Sequence, residues 1–283
     1  MRTLTYTTGN KARVFDLNTR ALRVNQLNPM RVSAWDYEIT GRRVINAMRK
    51  AKAYEMTVTS RDVDTLDDFA RLAEADFTNH TPGRLLVNNT WQQAAYIVDS
   101  KSDGLVKPHV QQVTFTMVLL DGCWRFEKVK NVIPTAASAL SMNFGYLGYP
   151  HGYPHAYSLD LSTPVFDTQV ESDTPLGLRF YGPVTNPSIL INGNNYQVDA
   201  TVPDGATVTV NPISEPPTVT LTNKDGTVED IFHLAHIGNG LGSGDYIFEP
   251  VTPGPMDVSY SANMSFDVIL YEERSGLPWN TLN

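Results

Sequence analysis

The sequence predicts a mainly β protein with one packed helix, built as two β-rich domains, and three observations predict it. Residues 110–120 alternate strictly, with Val113, Phe115, Met117 and Leu119 on one face and Gln112, Thr114 and Thr116 on the other. A single helical period appears, at 63–75. After residue 160 the chain is a series of short apolar runs cut by Asn192-Gly193, Asp204-Gly205 and Asp225-Gly226. Such spacing suits an antiparallel sandwich. At 283 residues the chain exceeds the usual single-domain size.

Residues 3–8 and 13–17 read as an opening strand pair separated by Gly9-Asn10, and 34–40 and 54–59 as further strands rich in aromatic and β-branched residues. In the helix, Leu66, Phe69, Ala70, Leu72 and Ala73 recur at three- and four-residue spacing, so they share one face. Asp62 or Asp64 is the expected N-cap, its carboxylate accepting the free amide hydrogens of the first turn. One apolar stripe needs a sheet face to cover, which makes the first domain α+β. A hairpin is expected from 84–87 into 90–98, turned by Asn88-Asn89, because asparagine tolerates the left-handed backbone of a tight turn.

Residues 134–160 have neither period. Their Gly, Pro and Tyr content reads as a semi-stiff connector. Its tyrosines suggest that it lies against a surface. Beyond it, strands are expected at 176–181, 188–191, 196–201, 207–210, 218–222, 245–248, 257–260 and 266–271. The division is therefore 1–133, 134–160 and 161–283.

Charge divides the chain in the same place. Residues 1–133 carry 19 Lys+Arg against 14 Asp+Glu, a net of +5, while residues 134–283 carry 3 against 16, a net of −13. The basic half is too mildly basic to neutralise a phosphate backbone, so no sequence-specific nucleic-acid contact is expected. Cys123 is the one cysteine, which excludes an internal disulfide and a multi-cysteine metal cage. The first ten residues lack the apolar core of a signal peptide, and no run approaches the ~20 apolar residues of a membrane span. These features predict a soluble protein assembled in the cytoplasm, with no membrane partner.

Four features together resemble the distal tail proteins of siphophages. They are the helix Phe69-Ala-Arg-Leu-Ala-Glu-Ala-Asp76 leading into the hairpin Thr81-Pro-Gly-Arg-Leu-Leu-Val-Asn88; the strand ending near Trp124; the connector Gly148-Tyr-Pro-His-Gly-Tyr-Pro-His-Ala-Tyr157; and Tyr181-Gly-Pro-Val-Thr-Asn-Pro187, which opens the second β-rich domain. Gly122-Cys123-Trp124 departs from the family's proline–tryptophan step. The resemblance covers nearly the whole chain. It implies an N-terminal belt domain that assembles a hexameric ring, followed by a galectin-like sandwich. It further implies a non-enzymatic, architectural role at the tip of a long non-contractile tail, in the virion baseplate. The partners it implies are other copies of the chain, the tail-tube protein, the tail fibre or tail-associated lysin, and receptor-binding proteins. No cofactor is implied.

His151 and His155 have metal-ligand spacing, but Gly152 and Pro154 prevent the helix that would align them. Gly238-Asn-Gly-Leu-Gly-Ser-Gly244 lacks the third glycine and the strand–helix context of a dinucleotide loop, and reads as a flexible loop. No Gly-x-Ser-x-Gly elbow occurs, and carboxylates on strand faces do not make a glycosidase pair. The basic group Arg42, Arg43, Arg49, Lys50 and Lys52 is either a solvated loop or a contact with an acidic neighbour, the adjacent ring subunit or the tube end. The rival function is carbohydrate binding for host attachment, with Tyr181, Tyr196, Tyr246 and Tyr260 as candidate sugar-stacking rings.

Overall fold

The computed structural model describes residues 3–25, 35–107, 110–133, 166–167, 172–260 and 264–278. The connector expected at 134–160, with His151 and His155, lies outside the described residues. The chain forms two units, Met1–Glu127 with Glu273–Asn283, and Lys128–Glu272. It thus returns to the first unit at its end, where a division at 161–283 had kept the C-terminus in the second. Leu277 is buried in the first unit's core, and it is this apolar side chain that the return brings there.

The first unit is an antiparallel sheet covered by one helix. Its elements are β1 (Leu4–Thr7), β2 (Val14–Asp16), β3 (Arg23–Val24), β4 (Asp36–Thr40), β5 (Arg43–Met48), β6 (Lys52–Ser60), α1 (Val63–Thr78), β7 (Gly83–Val87), β8 (Trp91–Lys107), β9 (Val110–Leu119) and β10 (Trp124–Val132), the last ending in the second unit. The pairing runs β2-β1-β7-β8-β9-β6-β3, all antiparallel. On β9 the predicted alternation holds: Phe115, Met117 and Leu119 are buried, and the residues between them are half-buried.

Asp62 caps α1, its carboxylate accepting from Thr65 N at 3.3 Å and from Thr65 Oγ1 at 2.6 Å. The helix buries Leu66, Phe69 and Ala73 and runs three residues past its expected end. The reason is tertiary, because Asp76 in the extra turn is itself buried and ties α1 to the opening strand pair. Asn88 and Asn89 both take the left-handed backbone the turn was expected to need, at φ +52° and +55°, and Thr90 N–H closes it on Val87 C=O at 3.1 Å. Trp124 is buried and begins a strand that alternation had not revealed.

The second unit is an antiparallel β-sandwich. Its strands are β11 (Phe166–Asp167), β12 (Leu176–Tyr181), β13 (Val184–Thr185), β14 (Ser188–Ile191), β15 (Asn194–Gln197), β16 (Thr201–Val202), β17 (Thr207–Asn211), β18 (Thr218–Thr222), β19 (Val228–Asp230), β20 (Pro255–Met256), β21 (Val258–Tyr260) and β22 (Ser265–Arg274), whose last two residues belong to the first unit. One sheet runs β19-β18-β17-β12-β22 and another β15-β14-β21. Their alternating apolar residues meet in one core that includes Phe180, Val208, Val219, Phe266 and Val268 from the first sheet and Ile189, Ile191, Tyr196 and Val258 from the second.

Two expectations fail here. The strand expected at 196–201 is split, with β15 ending at Gln197 and β16 beginning at Thr201. Residues 245–248 are not a strand. The Asn194 side-chain amide donates to Tyr246 O at 3.0 Å and accepts from Tyr246 N at 3.1 Å. A side chain therefore satisfies the backbone that a neighbouring strand would otherwise pair.

Candidate protein interface

The hairpin β4–β5 differs from every element around it, because each residue of both strands is exposed. The turn follows from Gly41, which sits at φ +62° with Thr40 opposite Arg43. Asn46 has φ +52° where the register shifts between Asp36 and Glu38, and its amide donates to Glu38 Oε2 at 2.9 Å. The exposed side chains include Trp35, Tyr37, Ile39, Val44, Ile45 and Met48, with Ile39 at 67% and Val44 at 63%. Apolar residues on both faces leave neither face as the solvent side. A two-stranded ribbon alone is marginally stable in water.

The base of the hairpin is held firmly. Arg49 Nη1 lies 2.6 Å from Glu273 Oε2, and its guanidinium sits over the Trp35 ring, 4.9 Å from the centroid. Arg125 Nε reaches the other Glu273 oxygen at 2.8 Å, and Arg125 Nη1 pairs with Asp121 at 3.1 Å. Burial works to raise the Glu273 carboxyl, but the hydrogen bonds and charge of Arg125 and Arg49 outweigh it and hold its pKa below the usual range. Burial pushes the neighbouring Cys123 thiol up to about 11, so it is a packing residue rather than a reactive thiolate. Gly122, at φ +63°, allows the close approach. A Cβ there would meet Arg49 Cβ and Lys50 O at 2.9 Å.

The five predicted cations therefore separate. Arg49 and Lys50 are tied within the chain, to Glu273 and Asp36, and Lys52 is half-buried at the start of β6. Arg42 and Arg43 stand exposed at the turn with no ion pair among the described residues. Sequence reasoning marked the charges and missed the apolar ribbon that carries them. The usable signal was Val44-Ile45 with Met48 directly after a Thr-Gly-Arg-Arg turn, opposite a strand containing Tyr37 and Ile39.

In the second unit, four tyrosines had been candidates for stacking on sugar. Tyr196 is a core residue whose hydroxyl donates to Glu249 O at 2.9 Å. Tyr181 is half-buried and donates to Asp267 Oδ2 at 2.6 Å, and Tyr260 packs edge-on against Phe266 at 4.9 Å. Tyr246 lines a cavity of about 650 Å³ with Phe232, Ile237 and Phe248.

His236 bridges two carboxylates in that unit. Its Nδ1 lies 3.0 Å from Asp245 Oδ2 and its Nε2 3.0 Å from Asp199 Oδ2. Asn195 also donates to Asp245, and Gln197 to Asp199. The hydrogen bonds to Asp199 and Asp245 raise the imidazole pKa above its ordinary value. A raised folded pKa gives stability that is fully present below the unfolded value, about 6.5, and is lost as pH rises through the folded pKa. The thermal transition of the second unit should therefore fall as pH rises from about 6.5 through the raised folded pKa. His236→Gln should flatten that slope in calorimetry, and an unchanged slope in the variant would remove His236 as its source.

No protein-family model matches the chain, and no curated protein is similar enough in sequence to count as a relative. Solved structures do match. A chain of the phage P2 baseplate in its activated conformation with Ca aligns over 98% of this chain and 100% of its own, with a TM-score of 0.61 and 12% identity. The same baseplate with Sr aligns over the same shares at a TM-score of 0.60 and 13% identity. The SPP1 Dit protein (gp 19.1) aligns over 96% of this chain and 99% of its own at a TM-score of 0.46 and 11% identity. Over nearly its whole length, the chain has the fold of a phage baseplate protein.

Proposed function

We propose that this chain is a distal tail protein, closing with other copies into a ring, six in number by the family resemblance, at the tip of a long non-contractile phage tail. The ring joins the tail tube to the tail fibre or tail-associated lysin, and it is built in the bacterial cytoplasm before release in the virion. Its role is architectural: repeated head-to-tail contacts close a ring when the rotation between copies is right. The observation that carries this reading is β4–β5, a ribbon with apolar side chains on both faces and, among the described residues, no strand paired to either outer edge. A second copy of the chain is the occupant that repeats the contact around a ring. Arg42 and Arg43 at its turn suit an acidic patch on that neighbour or on the tube end. The baseplate fold supports the tail-tip setting. The carbohydrate reading is weaker, because Tyr196 is core and Tyr181 and Tyr260 are committed to internal contacts.

The test is mass in solution across a concentration series. The full chain should reach a closed oligomer. The double variant Ile39→Asp with Val44→Asp should remain monomeric with an unchanged thermal transition, since both residues are exposed. A ring needs roughly 800 Å² from each partner at every junction, and two buried carboxylates there would be strongly unfavourable. A variant that assembles like the parent would remove the hairpin from the interface.

A further inference from the structure

Three arginines of the first unit converge on one concave surface. Arg20, Arg23 and Arg61, with Thr59 and Val110, line a cavity of about 320 Å³. The fold brings them there from three places. Arg23 is on β3 directly opposite Thr59 of β6, Arg20 is in the turn before β3, and Arg61 lies between β6 and the Asp62 cap of α1. The side chains of the three form no ion pair or hydrogen bond with any described residue, and among the described residues no carboxylate lines the cavity. The carboxylate nearest in sequence, Asp62, is occupied by Thr65 N and Oγ1.

That contrasts with four other arginines of the unit. Arg13 and Arg71 share Asp68, Arg49 holds Glu273, and Arg125 holds both Asp121 and Glu273. Like charges gathered without a counter-charge repel one another, and an anion seated between them removes that cost. We propose that this cavity is a docking site for an acidic polypeptide segment, its carboxylates received by the guanidinium forks of Arg20, Arg23 and Arg61. This site is independent of the hairpin and of ring closure.

Three features select a carboxylate-bearing peptide. A guanidinium presents paired N–H donors that match a carboxylate bidentately. Among the described residues the lining holds no aromatic ring on which a nucleobase could stack. A cavity of about 320 Å³ fits a few side chains, not a duplex.

The experiment is fluorescence anisotropy on the full chain with a labelled hexaglutamate peptide as probe, a hexaglutamine peptide as control and a single-stranded oligonucleotide as competitor class. Hexaglutamate should bind, hexaglutamine should not, and raising salt from about 20 to about 300 mM should weaken the complex. The triple variant Arg20→Gln, Arg23→Gln, Arg61→Gln should lose about tenfold or more in affinity. Arg42→Gln with Arg43→Gln should change it less than about twofold. If the glutamine triple does not fold, the corresponding lysine triple keeps the charge without the forks and should still bind about threefold more weakly. Equal hexaglutamate affinity in the parent and the folded triple variant, or an oligonucleotide bound more tightly than hexaglutamate, overturns the proposal.

Discussion

Phe69→Ala is expected to destabilise the first unit by about 3–5 kcal/mol, the range for emptying a fully buried aromatic site. Phe69 has no exposed surface and is where helix and sheet meet. Its ring makes edge-to-face contacts with Tyr6 of β1 at 5.7 Å, Phe15 of β2 at 5.2 Å and Phe115 of β9 at 5.3 Å. Each such contact adds about 0.5–1.5 kcal/mol beyond area burial. Removing the ring therefore unseats α1 from three strands at once. Since a domain holds only about 5–15 kcal/mol in total, the unit should unfold at markedly lower denaturant or temperature. Phe69→Leu keeps most of the volume and should lose much less. The measurement is chemical denaturation of the full chain followed by far-ultraviolet circular dichroism. A loss below about 1 kcal/mol for the alanine variant would mean that the helix is not seated through this ring.

Asp76→Ala should be nearly as damaging, by about 3 kcal/mol, through a different mechanism. Asp76 is 4% exposed, in the last turn of the helix. Its Oδ2 accepts from the Tyr6 hydroxyl at 2.9 Å and its Oδ1 from the Gly9 amide at 3.0 Å. Burial, reinforced by the Asp76 charge and hydrogen bond, drives the Tyr6 phenol well above its ordinary pKa, so it stays a donor at any physiological pH. Alanine would leave both donors buried without an acceptor, and an unmet donor costs the full desolvation of the group. Asp76→Asn retains one carbonyl oxygen and should recover part of the loss. The comparison of the two variants by denaturation separates lost hydrogen bonds from lost packing. Equal stability of parent and alanine variant would show that water satisfies these groups.

Local physics made much of this fold legible in the sequence. Alternation located β9, spacing located α1 and its Asp62 cap, and Asn88-Asn89 located the turn between β7 and β8. Those features depend on a residue and its near neighbours, so a single sequence contains them. The mainly β class and the sandwich of the second unit follow from the same signals repeated. The charges of the hairpin could be read too, but not their separation. Arg49 is tied down by Glu273, far away in the chain, while Arg42 and Arg43 remain free of ion pairs among the described residues.

Tertiary structure alone decided what the distant partners settle. Whether residues 245–248 pair as a strand depended on Asn194, whose side-chain amide takes both hydrogen bonds of Tyr246. Whether the helix ended at Ala75 depended on Tyr6 and Gly9 finding Asp76. Where the first unit's core ends depended on Leu277, near the other end of the chain. The apolar side chains of β4 and β5 look like core residues in the sequence, because hydrophobicity records what a side chain prefers, not whether the fold supplies a surface to cover it. Nor could spacing show that Arg20, Arg23 and Arg61 face one cavity, since the β3–β6 register that gathers them forms only when the sheet does.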